Sequence, residues 1–556
     1  MYCNKKNVNI LTALLIEHGV RHVVVCPGSR NAPLVHNFSQ CEKLECHAAT
    51  DERSAGFLAL GLRQQSQSPV AICVTSGSAL LNVLPAVAEA TYQQQGIVVI
   101  SADRPAAWVD QLDGQTLPQP QALGVFAPVS VSLPEVGEDE TEAWHCNRLV
   151  NEALLANKAP GHPSVHINVP LSEPLFEFTV EELPRERVVK GGQWSDAVFR
   201  EAILEEYEKA NRPMVVMGQL PSESALDKAS IACLQKGAVV LAEPISMEGL
   251  HDTCTDQMLA LLNRETEAYH PDWILYVGGH TVSKRLRHFL RAQHPETMQI
   301  LVSEDGKLRD VSQHTQRLVN GNAKEVLQGL IARMAMTPSS QEKDCFLNLW
   351  TELRQKVQSR QSSFVPAFSQ LQAVSLFERS MHRESARVYY ANSMSVRLAA
   401  LYAQGFCRCN RGVNGIEGSL SVAVGASLAD TEQRVYGVIG DLSFFYDQNA
   451  LWQQLKGNLR ILLLNNGQGG IFRILKGLNE SPVRDTLVAG GHETTAQGVC
   501  QQYKVGYRCA ADEESLKEGM DWLVNEQSDK PLLLEVKTSA QMDETEFRRF
   551  YAHLRK

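Results

Sequence analysis

The chain lacks several features that would place it in a class at once. It has no apolar run approaching the length that crosses a bilayer, and its first segment is an amphipathic helical pattern interrupted by Glu17 and His18 rather than a leader peptide. Its formal net charge of −10 argues against a nucleic-acid-binding surface. Its thirteen cysteines show no metal-binding spacing beyond one weak C-x-C pair, Cys407 and Cys409. We therefore expect a soluble, cytoplasmic protein with free thiols.

The chain also lacks an internal repeat, and its 556 residues predict about three domains. Short apolar runs alternate with helical patterns, which is typical of an α/β fold with buried parallel strands. We place the domains at residues 1–180, 190–345 and 365–556. The polar, proline-containing stretch EELPRERVVKGGQW is expected to be a linker between the first two.

One stretch in the last domain carries the clearest chemistry. Gly440 and Asp441 follow the apolar run RVYGVI, and Asn466 closes the run ILLLNN. The spacing leaves room for one helix and the next strand, so both side chains are expected at the carboxyl ends of neighbouring parallel strands. Gly-Asp and Asn-Gly are each common turns, but together at this spacing they indicate a metal-bridged diphosphate site. A carboxylate and an amide oxygen suit Mg²⁺ when phosphate and water complete the octahedron.

A second carboxylate stands out near the start of the chain. Glu52 lies where the extended segment HAAT gives way to the helical pattern ERSAGFLALGLRQQ. A glutamate at a helix start is often there only to stabilise the helix dipole. A glutamate held against an apolar ring would instead have a raised pKa and could share a proton with that ring.

Together these two features resemble the thiamine diphosphate (ThDP) enzymes, whose usual motif is Gly-Asp-Gly followed by Asn-Asn. Leu442 departs from that motif. The resemblance implies three doubly wound parallel-sheet domains: a pyrimidine-binding domain, a central Rossmann-like domain without a cofactor, and a diphosphate-binding domain. It implies that Mg²⁺ or Mn²⁺ is held by Asp441, Asn466 and the backbone carbonyl of Gln468, and that Glu52 activates the aminopyrimidine ring. The implied cofactor-binding residues are Glu52, Asn392, Ser393, Gly415, Ile416, Gly440, Asp441, Leu442, Ser443, Asn466, Ile471 and Phe472.

Polar and basic residues follow several other strand-like runs. They lie in the segments PGSR, SADRP, ANSMSVR, NRGVNGIEG and HTVSKR. A single arginine is more often a surface residue than a ligand contact. Several at the edge of a sheet where ligands bind indicate a polyanionic substrate, because arginine binds carboxylates bidentately.

The same segments, together with TDERSAGFLALGLR, VTSGSALLNVLPAVAEA and GDLSFFYDQNAL, resemble the 2-succinyl-5-enolpyruvyl-6-hydroxy-3-cyclohexene-1-carboxylate (SEPHCHC) synthase family. The likeness runs from the first helix to the last domain and is weakest in the middle block. One local departure is Gln468, where glycine is expected; a backbone ligand tolerates this if its φ is open to other residues.

This resemblance implies a transferase of menaquinone biosynthesis that decarboxylates 2-oxoglutarate and adds the remaining unit to isochorismate, releasing CO₂. It implies a homodimer or homotetramer with active sites at subunit interfaces. The implied catalytic residues are Glu52, Ser393, Arg397 and Arg411, and the implied substrate-binding residues are Ser29, Arg30, Arg104, Gln115, Lys284, Arg285, Ser393, Arg397, Arg411, Phe472 and Leu475. Ile416 is expected to wedge between the two rings of the cofactor, although it could be an ordinary core residue.

Two alternatives stay open. Another ThDP enzyme, such as an acetolactate synthase or a 2-oxo acid decarboxylase, is disfavoured because the N-terminal loops contain no His-His pair and the middle block has no G-x-G-x-x-G. A catalytically inactive binding subunit is disfavoured because Glu52 and Asp441 are both present. His145, His251 and His280 are expected to be structural.

Overall fold

The computed structural model describes residues 1–66, 68–92, 95–159, 161–220, 224, 226–246, 254–262, 267–475 and 477–556. The chain divides into two compact units. Unit 1 comprises Met1–Gly192 and Asp305–Val319, and unit 2 comprises Gln193–Glu304 and Asn320–Lys556. His251 lies outside the described residues.

Unit 1 is built on a sheet of six strands in the order β2-β1-β3-β4-β6-β5, with every neighbouring pair parallel. The strands are β1 (His22–Val25), β2 (Glu45–Ala48), β3 (Val70–Val74), β4 (Val98–Asp103), β5 (Val129–Ser132) and β6 (Val165–Pro170). The helices are α1 (Lys6–Glu17), α2 (Ala32–Gln40), α3 (Glu52–Ser66), α4 (Ser78–Asn82), α5 (Leu84–Tyr92) and α6 (Glu140–Lys158).

The β1 strand shows how this sheet is buried on both faces. Val23 and Val25 pack into one apolar cluster with α1, α2 and α6, whereas Val24 packs into a second cluster with α3 and α5. Successive side chains of a strand point to opposite faces, so a continuous valine run fits a sheet covered on both sides.

A second six-stranded sheet has the order β7-β12-β11-β10-β8-β9, and β11, β10, β8 and β9 pair in parallel. Its strands are β7 (Lys190–Gln193), β8 (Pro213–Met217), β9 (Val239–Leu241), β10 (Trp273–Val277), β11 (Met298–Ser303) and β12 (Arg317–Asn320). Its helices are α7 (Ala197–Glu208), α8 (Lys228–Gly237), α9 (Thr255–Leu261), α10 (Lys284–Arg291), α11 (Ala323–Met336) and α12 (Gln341–Ser362). The division between the units falls within β7 and β12.

The third sheet has five parallel strands in the order β13-β14-β15-β17-β16. The strands are β13 (Ala386–Tyr390), β14 (Arg434–Gly440), β15 (Leu459–Asn465), β16 (Gly506–Ala510) and β17 (Leu532–Lys537). The helices are α13 (Gln370–Ser380), α14 (Met394–Tyr402), α15 (Ser419–Ala429), α16 (Asp441–Tyr446), α17 (Ile471–Ile474), α18 (Gln497–Tyr503), α19 (Glu513–Asn525) and α20 (Ala540–Arg555).

Two sequence predictions need correction. The predicted linker ends in a strand, because residues 190–193 form β7 and join the second sheet. The single helix expected between Asp441 and Asn466 is instead the short α16 followed by a 3₁₀ segment, Gln448–Trp452. The predicted α/β class with parallel sheets is confirmed, and so are the free cysteines, all thirteen of which are unpaired thiols. None of the described helices is both long and apolar enough to cross a membrane.

Candidate active site

Asp441 and Asn466 lie together at the carboxyl ends of two neighbouring strands. The register pairs Gly440 of β14 with Leu464 of β15, so both chains leave the sheet side by side. The carboxylate of Asp441 accepts backbone N–H hydrogen bonds from Leu442 at 2.7 Å, from Asn466 at 3.0 Å and from Gly467 at 2.8 Å. The predicted juxtaposition is therefore present.

The carboxylate of Asp441 is buried, and burial raises its pKa above the ordinary value, although the three N–H donors act in the opposite sense. The ring of His492 approaches it, with Nε2 3.6 Å from Oδ2. Within the described chain, this buried Nε2 has no hydrogen-bond partner. A buried carboxylate with a raised pKa beside an unsatisfied ring nitrogen is a place where a cation would be stabilised. The site therefore fits a metal ion.

Asp543, at the start of α20, is a contributor that the sequence did not reveal. Its Oδ2 accepts hydrogen bonds from Asn466 Nδ2 and Thr538 Oγ1, both at 2.8 Å, and its Oδ1 accepts one from Gln370 N at 2.8 Å. Burial raises the pKa of Asp543 to about 6. Because the amide nitrogen of Asn466 donates to Asp543, a ligand role falls to its oxygen, which accepts a hydrogen bond of 3.3 Å from Gln468 N and keeps a second lone pair. In the sequence, Asp543 looks like any acidic residue of a first helical turn.

Asn392 and Ser443 tether the loop that carries Ile416. Asn392 Nδ2 donates to the backbone oxygen of Gly415 at 2.6 Å, and Ser443 Oγ donates to the backbone oxygen of Ile416. The side chain of Ile416 is 39% exposed. This exposure argues against an ordinary core role for Ile416 and leaves its side chain available to a ligand.

Ser393, between β13 and α14, has an unusual backbone conformation for a residue with a side chain, with φ 70° and ψ −124°. Such a conformation costs on the order of 1–3 kcal/mol and is concentrated at functional sites. The backbone oxygen of Ser393 accepts a hydrogen bond from Arg397 Nη1 at 2.6 Å. Four predicted residues, Asn392, Ser393, Arg397 and Arg411, are thus joined, because Arg411 Nη1 donates to Asn392 Oδ1 at 3.1 Å.

Arg411 is a buried cation and Arg397 is a half-buried one. Burial lowers the pKa of both guanidinium groups, and Arg411 adds to the effect on Arg397. Arg411 Nη2 donates to the backbone oxygen of Thr281 at 2.9 Å, while its buried Nε has no partner among the described residues. Buried cations need an anionic partner to offset the loss of hydration. The pair is suited to binding a carboxylate.

A cavity of about 440 Å³ opens beside Arg397. Its lining combines the predicted residues Lys284, Arg285, Arg397, Ile471 and Leu475 with residues that were not predicted, among them Glu243, Asp256, His288 and Tyr551. Phe472 packs instead near Gly469, where an added Cβ would lie 2.8 Å from its ring. The cavity lining therefore combines basic, acidic and apolar side chains.

Two acidic side chains, Asp256 and Glu243, also line the cavity. Asp256 Oδ2 lies 2.6 Å from Arg285 Nη1, and the Arg285 guanidinium stacks 4.5 Å from the centre of the Tyr551 ring. Glu243 accepts N–H hydrogen bonds from Val282 at 2.6 Å and Ser283 at 2.7 Å. Burial raises the pKa of Glu243 to about 7, against an ordinary value of 4.5. No local sequence signal distinguishes these acids from surface residues.

The pKa of Glu243 predicts a pH-dependent stability. The folded chain holds the proton of Glu243 more tightly than the unfolded chain does. The resulting stabilisation is complete below pH 4.5 and is lost as the pH rises to about 7. Glu243→Gln has no such proton. Relative to that variant, the free energy of unfolding of the wild type should fall by about 3 kcal/mol between these two pH values. Thermal unfolding of both proteins from pH 4.5 to pH 8 measures this, and a difference in melting temperature that stays constant with pH would contradict it.

In unit 1, Glu52 is the first residue of α3 and is half-buried. Its Oε2 accepts a hydrogen bond from Asn82 Nδ2 at 3.3 Å. This position matches the predicted junction between the extended segment and the helix. The dipole-stabilising alternative is equally compatible with the position, so the role of Glu52 stays a prediction.

Arg104 and Gln115 are brought together in unit 1. Arg104 Nη1 donates to Ser76 Oγ at 2.8 Å and to the backbone oxygen of Gln115 at 3.2 Å, and its Nε lies 2.8 Å from Asp113 Oδ2. Gln115 has a positive φ of 57°. Arg104 is thus fixed at the carboxyl end of β4, at the edge where ligands bind.

Ser29 and Arg30 follow β1 at the same edge of this sheet. Ser29 is exposed, whereas Arg30 is buried and donates through Nη1 to the backbone oxygen of Leu171 at 2.9 Å. Gly28 is needed here, because an added Cβ would lie 2.3 Å from Thr75 Cβ. The predicted site residues therefore form one group in unit 1 and another in unit 2.

The structural role expected of His145 and His280 stays a prediction. Burial lowers the pKa of His145, and His280 has an interaction partner. Neither lines the cavity beside Arg397.

Comparison with known proteins agrees with this geometry. Residues 6–123 match the thiamine pyrophosphate enzyme N-terminal TPP binding domain, residues 193–386 match the middle domain of thiamine pyrophosphate enzymes, and residues 394–536 match the C-terminal TPP binding domain. The two ends of the chain that carry Glu52 and Asp441 are therefore the two TPP-binding domains. The class defined by this fold and site is that of the thiamine pyrophosphate enzymes.

Curated relatives narrow the class. Proteins named 2-succinyl-5-enolpyruvyl-6-hydroxy-3-cyclohexene-1-carboxylate synthase from Phocaeicola vulgatus and Bacteroides thetaiotaomicron are 41% and 40% identical, covering 100% of this chain and 99% and 100% of their own lengths. One from Desulfotalea psychrophila is 34% identical over 96% of this chain and 98% of its own length. The chain belongs to the SEPHCHC synthase family.

Proposed function

We propose that this enzyme uses ThDP to decarboxylate 2-oxoglutarate and to join the remaining four-carbon unit to isochorismate, giving SEPHCHC and CO₂ in menaquinone biosynthesis. The observation that carries the proposal is a shared sheet edge: the Asp441–Asn466 pair follows β14 and β15, and Asn392, which holds Arg411, follows the neighbouring strand β13 just before the helix that carries Arg397. The strands β13 and β14, which lead to these groups, are parallel neighbours. A metal-diphosphate site at the same sheet edge as two partly desolvated cations suits an anionic 2-oxo acid. The relatives' shared name favours this reaction over that of another ThDP enzyme.

The proposed cofactor-holding residues fall into two sets. Asp441 and Asn466 would bind the metal through side-chain oxygens and Gln468 through its backbone oxygen, and Ser443 would contact the diphosphate. When bound, the cofactor supplies the nucleophilic carbon and the electron sink for decarboxylation. We propose Mg²⁺, or Mn²⁺, because the ligands are all hard oxygen atoms.

The roles of the protein's own groups follow from their placement. Glu52 is proposed to hold the proton of the aminopyrimidine ring. Arg397 and Arg411 would bind the carboxylates of the 2-oxo acid, since both guanidinium groups are already partly desolvated and the Nε of Arg411 is unpaired within the described chain. The residues proposed to bind isochorismate are Ser29, Arg30, Arg104, Gln115, Lys284 and Arg285. Ile471 and Leu475 would keep water away from the reacting carbon.

We further propose a homodimer or homotetramer with active sites at subunit interfaces. Large apolar side chains are exposed on two helices that carry predicted site residues: Phe57 and Leu58 on α3, and Tyr446 on α16. Burial of these side chains against a second copy of the chain would remove apolar surface from water. The three-domain division at residues 1–180, 190–345 and 365–556 is part of the same proposal.

An omission experiment tests the function. Isochorismate consumption is followed spectrophotometrically with ThDP, Mg²⁺ and 2-oxoglutarate left out in turn, and we expect each omission to stop it. If 2-oxoglutarate is decarboxylated while isochorismate is untouched, the cofactor assignment stands and the acceptor assignment is wrong.

Replacing Arg397 by glutamine tests the anion-binding role. We expect KM for 2-oxoglutarate to rise at least about tenfold, because a charge-assisted bond to a carboxylate contributes about 1.5–3 kcal/mol. Steady-state kinetics with varied 2-oxoglutarate measures it. Arg555→Gln, at the exposed end of α20, is the control. A normal KM in Arg397→Gln would rule out this contact.

A further inference from the structure

Three side chains in unit 1 converge on one point away from the predicted active site. His22 Nδ1 lies 3.2 Å from His47 Nε2 and 3.4 Å from Glu45 Oε2, and Glu45 Oε1 lies 3.8 Å from His47 Nε2. Each residue offers one ligand atom, and these atoms all lie within 4.8 Å of one another. We propose that His22, Glu45 and His47 bind a divalent transition-metal ion, with zinc as the reference ion.

The register of the sheet explains why the three side chains meet. The parallel pairing sets His22 of β1 opposite Glu45 of β2, and Val24 opposite His47. Alternate residues of a strand share a face, so His22, Glu45 and His47 all project from the same face. Cys46, between the two β2 ligands, projects from the other face and packs against the cluster around α1 and α2. The proposed ligand set therefore contains no thiolate.

The position is separate from the predicted catalytic groups of unit 1. His22 and Glu45 are the first residues of their strands, whereas Arg30, Glu52 and Arg104 follow the carboxyl ends of strands. The β2 strand forms the edge of the sheet. The side chains of His22 and His47 are 24% and 26% exposed, and that of Glu45 is 66% exposed, so an ion can enter from solvent.

The spacing of the donor atoms matches a tetrahedral metal site. Zinc bonds of about 2.0–2.2 Å require neighbouring ligand atoms to lie roughly 3.3–3.6 Å apart. The distances of 3.2 Å between the two rings and 3.4 Å from His22 to Glu45 Oε2 lie close to that range. The 3.8 Å contact to His47 is made by the other Glu45 oxygen, Oε1, so the exposed carboxylate must rotate to bring one oxygen to both rings. Two imidazoles and one carboxylate suit zinc, nickel or copper better than Mg²⁺ or Ca²⁺.

Without a metal, these groups satisfy one another poorly. The two rings can share one hydrogen bond, and the contacts of 3.4 Å and 3.8 Å to Glu45 are too long to be good ones. An ion would displace the proton shared by the rings and bring three lone pairs onto one centre. It would also cross-link the side chains of the edge strand β2 to that of β1, shortly before the chain enters α3.

Zinc binding to the full-length protein tests the proposal. The protein is stripped with a chelator, returned to buffer with excess Mg²⁺, and titrated with ZnCl₂ by isothermal titration calorimetry. We expect one zinc site per chain, with affinity lowered at least about tenfold in His22→Gln and in His47→Gln, since the loss of even an outer-shell partner costs this much. The same zinc should raise the melting temperature of the wild type.

Two variants serve as matched controls. His294→Gln removes an exposed histidine that pairs with one carboxylate, Glu296, at 4.0 Å, and that ion pair includes no second histidine. Asp441→Asn alters the predicted metal site of the cofactor. Zinc binding should be unchanged in both, and circular dichroism without zinc should show that every variant is folded. Cobalt(II) should give intense visible absorption in the wild type and lose it in His47→Gln. Equal zinc binding in the wild type and the two triad variants, or no zinc site in the wild type, would overturn the proposal.

Discussion

Replacing Glu52 by glutamine is expected to lower kcat by about 10²–10⁴-fold, the usual contribution of a positioned proton-transfer group. Glutamine keeps the size of the side chain and can still accept a hydrogen bond from Asn82, but it cannot give a proton to or take one from the cofactor ring. The affinity for ThDP should change far less than kcat, because the diphosphate end is held by other residues.

The measurement is the initial rate of isochorismate consumption at saturating ThDP, Mg²⁺ and 2-oxoglutarate. Glu17→Gln, at the exposed end of α1, should retain wild-type activity and shows that the loss is specific. If Glu52→Gln keeps more than about half of the wild-type kcat, Glu52 is a dipole-stabilising residue only and not a catalytic one.

Asp441→Asn is expected to weaken ThDP binding by about 100-fold or more in the presence of Mg²⁺, beyond the effect usually seen for outer-shell partners of a metal. The variant loses the charge that attracts the ion. It also turns one oxygen into an amide donor that faces the backbone N–H groups of Leu442 or of Asn466 and Gly467. Both effects weaken the part of the site where β14 and β15 end.

Calorimetric titration with ThDP measures this loss of affinity. A melting curve without cofactor shows whether the variant is folded, so that weaker binding is not confused with unfolding. Asp529→Asn, in an exposed loop, is the control. A folded Asp441→Asn protein that binds ThDP with wild-type affinity would exclude Asp441 as a metal ligand.

Much of the fold could be predicted because its information is local. Buried strands such as β3 and β15 are short runs rich in β-branched or aliphatic residues, and the Asp441–Asn466 juxtaposition follows from strand spacing alone. The strand β7 escaped prediction because its sequence, KGGQ, has no strand propensity and is held in place by the rest of its sheet.

The missed site residues depend on contacts that no local pattern encodes. Asp543 reaches Asn466 across 77 residues, and Tyr551 reaches Asp256 across 295 residues. Glu45 and His47 pair with His22 only because β2 lies beside β1 in one particular register. Such acids and histidines look like ordinary solvated residues until the tertiary fold brings them together.

The backbone of Ser393 has an evolutionary consequence. A glycine at this position would adopt the left-handed conformation without steric cost, yet it would lose the serine hydroxyl and enlarge the unfolded ensemble. The chain therefore keeps a locally unfavourable residue where β13 passes into α14, next to Arg397. Selection for folding stability alone would favour a residue that adopts this backbone conformation at lower cost. Screens for thermostability and screens for activity should therefore select different residues at position 393.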